Sequence, residues 1–189
     1  YGLTKIHKIK YLTDNIPWRP VNSQCGSTSA VASTFMDYYL QKLIPFIPGV
    51  VKNSIDTINQ LSHIESKLLI DTNVWVSTAD AKNMYGNIGI EEGVRIIESY
   101  IKLYANEYKG HFPGKLIIKL LKLVMSKNIF KFGNTWWIQK VGTAMGTPTA
   151  TSYATIYFAY YERQNLLPRF KNNLLFYVRF IDDIFCVWK

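Results

Sequence analysis

Three carboxylates stand where apolar strands end. Asp182 and Asp183 are adjacent inside "FYVRFIDDIFCVWK", and Asp80 closes "TNVWVSTAD". Phe, Tyr, Val, Ile and Trp dominate both runs, which is strand composition. An ionised carboxylate buried in such a setting costs several kcal/mol unless something neutralises it. The pair therefore predicts a turn at Asp182-Asp183 and a cation beside it. If the strands are neighbours in one sheet, Asp80, Asp182 and Asp183 converge on one edge. Hard oxygen ligands without nearby His or Cys suit Mg²⁺, which takes few carboxylates and completes its shell with water and phosphate. Two such ions are a common device for in-line phosphoryl transfer. Taken alone, the Asp-Asp pair reads more simply as a solvated turn.

The elements that must position these residues follow from pattern. "YGLTKIHKIKYLTDNIPWRPVNS" alternates apolar and basic residues around Pro17 and Pro20 and reads as an extended hairpin. "GSTSAVASTFMDYYLQKLI" has Val31, Phe35, Tyr38, Tyr39 and Leu43 at helical spacing, Ser27 or Thr28 as caps, and Pro45 and Pro48 beyond it. "SIDTINQLSHI" is a second short helix, with Ile55, Ile58 and Leu61 on one face. Two helices lie between Asp80 and the next strands, "EEGVRIIESYIKLYANEY" and "PGKLIIKLLKLVMSKN". "IFKFGNTWWIQKVG" reads as a hairpin turning at Gly133-Asn134, where Trp136 and Trp137 either stack on bases or pack into the core. "TPTATSYATIYFAYYERQ" is a helix begun by Thr147 and Pro148, and a final hairpin turns at the Asp pair. Mixed α+β in two lobes is the expected architecture.

Composition narrows the partners. The net charge of +9, from 22 Lys+Arg against 13 Asp+Glu, favours a polyanion, nucleic acid first and anionic membrane second. No apolar run reaches the roughly 18 residues of a membrane span. Two cysteines, Cys25 and Cys186, are too few for a disulfide framework or a zinc site, which suggests a reducing, intracellular compartment, nuclear or cytoplasmic. His7, His63 and His111 share no metal-ligand spacing. The chain opens without Met and stops inside a strand pattern, so an excised fragment is expected.

Five stretches, in chain order, carry a family resemblance. "YGLTKIHK" and "RPVNSQCGS" resemble the two finger motifs of reverse transcriptases, in the form found in Penelope-like retroelements, relatives of telomerase. "TADAKNMYGNI" resembles their first catalytic motif, "QKVGTAMGTPTA" their glycine-rich motif, and "RFIDDIFCVW" their metal-binding hairpin, with Phe180 where many members carry Tyr. The matches cover nearly all of the chain.

The resemblance implies an α+β right-hand polymerase, fingers and palm, with an antiparallel palm sheet backed by helices. Residues 1–72 would be mainly fingers and 73–189 mainly palm, with no thumb. The implied activity is RNA-directed DNA polymerisation on an RNA template with a DNA primer and dNTPs. It implies two Mg²⁺ ions, with Mn²⁺ as a substitute. Asp80 and Asp182 would hold both metals, Asp183 would assist, and the Ala81 carbonyl would be a further ligand. Tyr85 would block a ribose 2′-hydroxyl; on its own it reads as a buried core tyrosine. Met145, Gly146, Thr147 and Pro148 would floor the nucleotide pocket and touch the template, and Phe180 would meet template or primer. Arg19, with Lys5 and Lys8, would grip the triphosphate, since the planar guanidinium meets phosphate oxygens bidentately; Lys10 reads as part of a solvated basic face.

Two departures from the family pattern would bear on rate and fidelity: with "GNIG" for "TNIP", Gly86 and Gly89 would loosen the pocket entrance, and with "RPVNS" for "RPIVS", polar Asn22 stands where Val is usual. Two rival readings remain. A magnesium-dependent palm of another kind, such as a nucleotidyl cyclase, would also need strand-end Asp residues, but not "RPVNS" or "AMGTP". A non-catalytic remnant that only binds nucleic acid would have no reason to keep all three carboxylates.

Overall fold

The run from Leu174 to Trp188 folds back on itself as β6 (Leu174–Phe180) and β7 (Asp183–Trp188), and β7 also pairs with β3 (Trp75–Asp80). The resulting antiparallel sheet has the order β3-β7-β6. The computed structural model describes residues 2–4, 16, 18–21, 26–64, 73–143 and 146–189. Near the chain start, β1 (Gly2–Thr4) pairs antiparallel with β2 (Trp18–Pro20), the two ends of the expected opening hairpin. The stretch between them, with Lys5, Lys8 and Lys10, lies largely outside the described residues, as do Asn22, Cys25 and Met145.

Helices account for most of the described regular structure outside the strands. They are α1 (Thr28–Leu43), α2 (Ser54–Ser62), α3 (Ile90–Tyr104), α4 (Gly114–Ser126), α5 (Thr149–Tyr161) and the single turn α6 (Leu167–Phe170). A hairpin of β4 (Ile129–Phe132) and β5 (Thr135–Ile138) stands between α4 and α5, turning at Gly133-Asn134 as the sequence predicts. One hydrophobic core joins Met36 and Leu40 of α1, Ile97 of α3, Leu121 of α4 and Ile156 of α5, so residues on both sides of position 72 share it.

Two packing expectations are overturned. In α1 the buried stripe is Ser33, Met36, Leu40 and Leu43, whereas Val31 and Tyr38 face solvent. Ser33 is tolerated inside because it pairs with Thr149 of α5. Their hydroxyls lie 2.8 Å apart, and Thr149 Oγ1 donates to the Ser33 carbonyl at 2.7 Å. In α2 the predicted apolar face is exposed at Ile55 and Ile58, although Asn53 caps the helix by accepting from the Asp56 N–H at 2.9 Å. Ser27 occupies the N-cap of α1 but makes no capping bond, its hydroxyl turning instead to Ser29. Gly93 is where α3 meets α5: a Cβ there would fall 1.8 Å from the Tyr153 hydroxyl oxygen, so only glycine allows this approach.

Candidate active site

Asp80 and Asp183 are partners in the β3–β7 register, directly opposite each other at the end of the sheet. The ladder continues one step further, because the Ala81 N–H donates to the Asp182 carbonyl at 2.9 Å. Phe180 pairs with Asp183 across β6–β7, leaving Ile181-Asp182 as a two-residue turn. All three carboxylates thus reach one sheet end.

They do not reach it as buried charges. Asp80 and Asp183 are exposed and Asp182 is half-buried, because the strands end at an open face. The argument that a cation must compensate burial therefore fails. What replaces it is the direct opposition of two like charges, a destabilising cross-strand pair, with no salt bridge to either among the described residues. The donors are all oxygen and fit a hard divalent ion in kind. As the side chains stand, no three His, Cys, Asp or Glu among the described residues gather to hold one.

The turn has an unusual backbone. Ile181 has φ 53°, while Asp182 is not among the positive-φ residues, the pattern of a type II′ turn. Glycine is the usual occupant of that first position. A β-branched residue there is a strained outlier, costing about 1–3 kcal/mol, and it persists only where surroundings enforce it.

The enforcing group is Arg179, fully buried on β6. Its Nε donates to Glu162 Oε1 and its Nη2 to Glu162 Oε2 at 3.1 Å, a bidentate pair. Nη2 also donates to the Thr155 carbonyl at 2.9 Å, and Nη1 to the Ile181 carbonyl at 2.6 Å. Glu162 opens a π-helical turn, Glu162–Leu166, that prolongs α5. The Arg179 backbone bonds Gly49 and Val51 on the outer side of β6, at 2.8 and 3.0 Å. The carboxylate-bearing turn is thus tied to α5 and to the segment after α1. Neither Arg179 nor Glu162 was identified as functional from sequence; the available signal was a lone cation three residues before the Asp pair in an apolar strand. Beside them the Tyr177 hydroxyl is buried with no hydrogen-bond partner among the described residues, and burial, then Glu162, raises its pKa.

Two clefts meet at the turn. One of about 740 Å³ holds Thr78, Asp80, Phe180 and Asp183 on the sheet face, with Asn53 and Thr57 opposite. The other, about 900 Å³, is bounded by Phe180 and Ile181 and carries Lys42, Lys52 and Lys109. These three cations were also missed, because each sits in a different part of the sequence.

Tyr85 is half-buried in a short 3₁₀ turn, Met84–Gly86, its ring packed partly on the core and its hydroxyl 3.4 Å from Thr151 Oγ1, a residue of the second cleft. The Thr143 N–H donates to the Tyr85 carbonyl at 2.8 Å. Gly142, with φ 81°, makes that approach possible, since a Cβ would lie 2.6 Å from the same carbonyl oxygen. Gly146 is exposed, Thr147 buried, and Pro148 exposed at the N-cap of α5. Arg19 is opposite Leu3 in the β1–β2 register.

Comparison with models of known protein families and with curated proteins finds no match. Solved structures do match. Apo telomerase from Candida tropicalis, truncated from the C-terminal domain, aligns with TM-score 0.60 and 13% identity over 87% of this chain and 35% of that one. Telomerase from Candida albicans in complex with a TWJ fragment of telomeric RNA gives 0.61 and 14%, over 87% and 31%. Apo telomerase from Candida tropicalis gives 0.57 and 11%, over 89% and 31%. The chain spans about a third of the length of these proteins. The chain shares its fold with part of these telomerases.

Proposed function

We propose that this chain is the fingers and palm of an RNA-directed DNA polymerase of the Penelope-like kind, extending a DNA primer with dNTPs along an RNA template. The observation that carries the reading is the register of Asp80 against Asp183, with Asp182 in the adjoining turn, within a fold shared with telomerases. In this reading residues 1–72 are mainly fingers and 73–189 mainly palm.

Asp80, Asp182 and Asp183 would hold Mg²⁺, which when bound lowers the pKa of an attacking hydroxyl and stabilises a leaving pyrophosphate. The chain's own residues do the rest. Arg179 fixes the turn, so Asp182 and Asp183 are presented without a search of side-chain and backbone conformers. Positioning of this kind is what converts binding into rate. Arg19, Lys5 and Lys8 would take the triphosphate, and the lysines of the second cleft suit the same polyanion. Tyr85 would stand at the sugar. Gly146, Thr147 and Pro148, with Met145, would form the pocket floor, and Phe180, on the same face as Asp183, would touch primer or template.

The test is primer extension by the chain, on RNA and on DNA templates, with Mg²⁺ or Mn²⁺. Extension that Asp80→Asn and Asp183→Asn each abolish is expected. The same carboxamides should not weaken the fold, because they relieve an opposed like-charge pair worth about 0.2–1 kcal/mol. Extension that survives both substitutions would overturn the reading. Nucleic-acid binding without extension in the unsubstituted chain would favour the non-catalytic remnant.

A further inference from the structure

The β4–β5 hairpin presents large apolar side chains on both of its faces. Cross-strand partners Lys131 and Trp136 share one face, and Phe130 and Trp137 the other. Trp136 is 71% exposed, Phe132 62% and Trp137 55%. The alternative of core packing for the two tryptophans is thus excluded. An isolated two-stranded hairpin is marginal in water, so exposing aromatics on one is costly without a use. Its base is nonetheless firm: Asn128 Nδ2 donates to Gln139 Oε1 at 2.8 Å, and the Gln139 N–H to the Asn128 carbonyl at 2.9 Å.

Along the sequence the charge around it has one sign, although Glu98 of α3 comes within electrostatic reach of Lys122 of α4. From Tyr108 to Tyr161 the chain carries seven lysines and no Asp or Glu, most of the net +9. Lys115, Lys119 and Lys122 recur on one side of α4, all exposed, and the chain runs directly from α4 into β4 past Lys127. Lys131 lies over the Trp136 ring, 5.8 Å from its centroid, and Lys140 follows β5. A protein-docking patch is depleted in lysine at its centre. Aromatics set among an excess of lysines are the make-up of surfaces that stack bases and track phosphates. Stacking on both faces of a rib needs bases that are not paired.

We infer that the β4–β5 hairpin and the lysine side of α4 form a binding surface for single-stranded nucleic acid, with Trp136 and Trp137 as stacking platforms. The surface rests on the proposed function only in sharing a nucleic-acid partner; it does not involve Asp80, Asp182 or Asp183. Read with that function, it names the unpaired part of the template as the strand held.

The experiment is fluorescence anisotropy of labelled oligo(dT) and oligo(U), about twenty nucleotides long, against the full chain and against a blunt RNA–DNA hybrid. Trp136→Ala/Trp137→Ala should weaken single-strand binding about tenfold or more, because stacking is strong per base, and change hybrid binding much less. Trp136→Phe/Trp137→Phe should restore most of the loss. Circular dichroism should be the same for all, the side chains being exposed. Lys115→Gln/Lys119→Gln/Lys122→Gln should flatten the salt dependence. Equal single-strand affinity in the alanine variant overturns the inference, as does a variant that loses only self-association. A chain that extends primers while its alanine variant binds strands normally sinks this inference and spares the polymerase. One that binds strands through the tryptophans but extends nothing does the reverse.

Discussion

Arg179 and Glu162 form a buried bidentate ion pair, and the arginine's other donors hold the carbonyls of Thr155 and Ile181. The link joins the end of α5 to the turn that carries Asp182. Removing one member leaves an uncompensated charge in the interior, at about 3–5 kcal/mol. Glu162→Ala is expected to fall in that range by urea unfolding, and Arg179→Met with Glu162→Leu to lose less than either single change. The double variant should still lose activity in a primer-extension assay, because nothing then holds the Ile181 carbonyl. A loss below about 1 kcal/mol for Glu162→Ala would contradict the account.

Ile181 makes a second prediction. Its φ of 53° is a conformation that glycine adopts freely and alanine does not. Both Ile181→Gly and Ile181→Ala forfeit the side chain's packing on the core, but only glycine relieves the backbone. The glycine variant should therefore be the more stable of the two by about 1 kcal/mol, the reverse of the usual order in ordered structure. Urea midpoints compared at equal slope test this, and an alanine variant at least as stable as the glycine one refutes it.

How far the fold was legible depends on what each residue answers to. The strand end at Asp80 and the turn at Gly133-Asn134 were readable, because apolar runs and turn residues are local signals; the final turn was expected at Asp182-Asp183 but falls one residue earlier, at Ile181-Asp182, because Asp183 is already paired with Phe180 and with Asp80. The buried side of α1 was not. Helical spacing allowed Val31 and Tyr38, and what chose Ser33 was Thr149, a residue from another helix. Arg179 was hidden for the same reason, since its partner Glu162 lies on the π-helical turn that follows α5. Trp136 and Trp137 show the opposite limit: composition cannot tell a core aromatic from one kept exposed for binding. The register of Asp80 with Asp183 required the β3–β7 pairing, which spacing could only pose as a condition.

Tyr177 gives a pH prediction. Burial, then the Glu162 carboxylate, raises its pKa above the ordinary 10. A group whose folded pKa is raised contributes stability that is fully present below its unfolded pKa and is lost as pH climbs from there toward the folded value. Stability should therefore be flat up to about pH 9 and decline above about pH 10. Tyr177→Phe should shift neutral-pH stability by no more than about 1 kcal/mol, since the hydroxyl has no partner among the described residues. It should also make the alkaline decline shallower. Thermal midpoints at several pH values read both, and an unchanged alkaline slope would rule out Tyr177 as a contributor.

Tyr85 stands between two roles, and one ratio separates them. Its ring packs partly on the core, and its hydroxyl meets Thr151 at the second cleft. If the ring closes the sugar side of a nucleotide pocket, a ribonucleotide's 2′-hydroxyl overlaps it and a deoxyribonucleotide fits. That discrimination is steric, so Tyr85→Ala should raise ribonucleotide incorporation while Asp80 and Asp182 still support use of dNTP. Tyr85→Phe keeps the ring and should change little. If the ring only packs, Tyr85→Ala costs up to about 3–5 kcal/mol of stability, and both incorporations fall together. Ribo- and deoxyribonucleotide incorporation measured side by side for the three proteins gives the ratio. A rise for alanine alone is the expected outcome, and a constant ratio leaves Tyr85 with packing only.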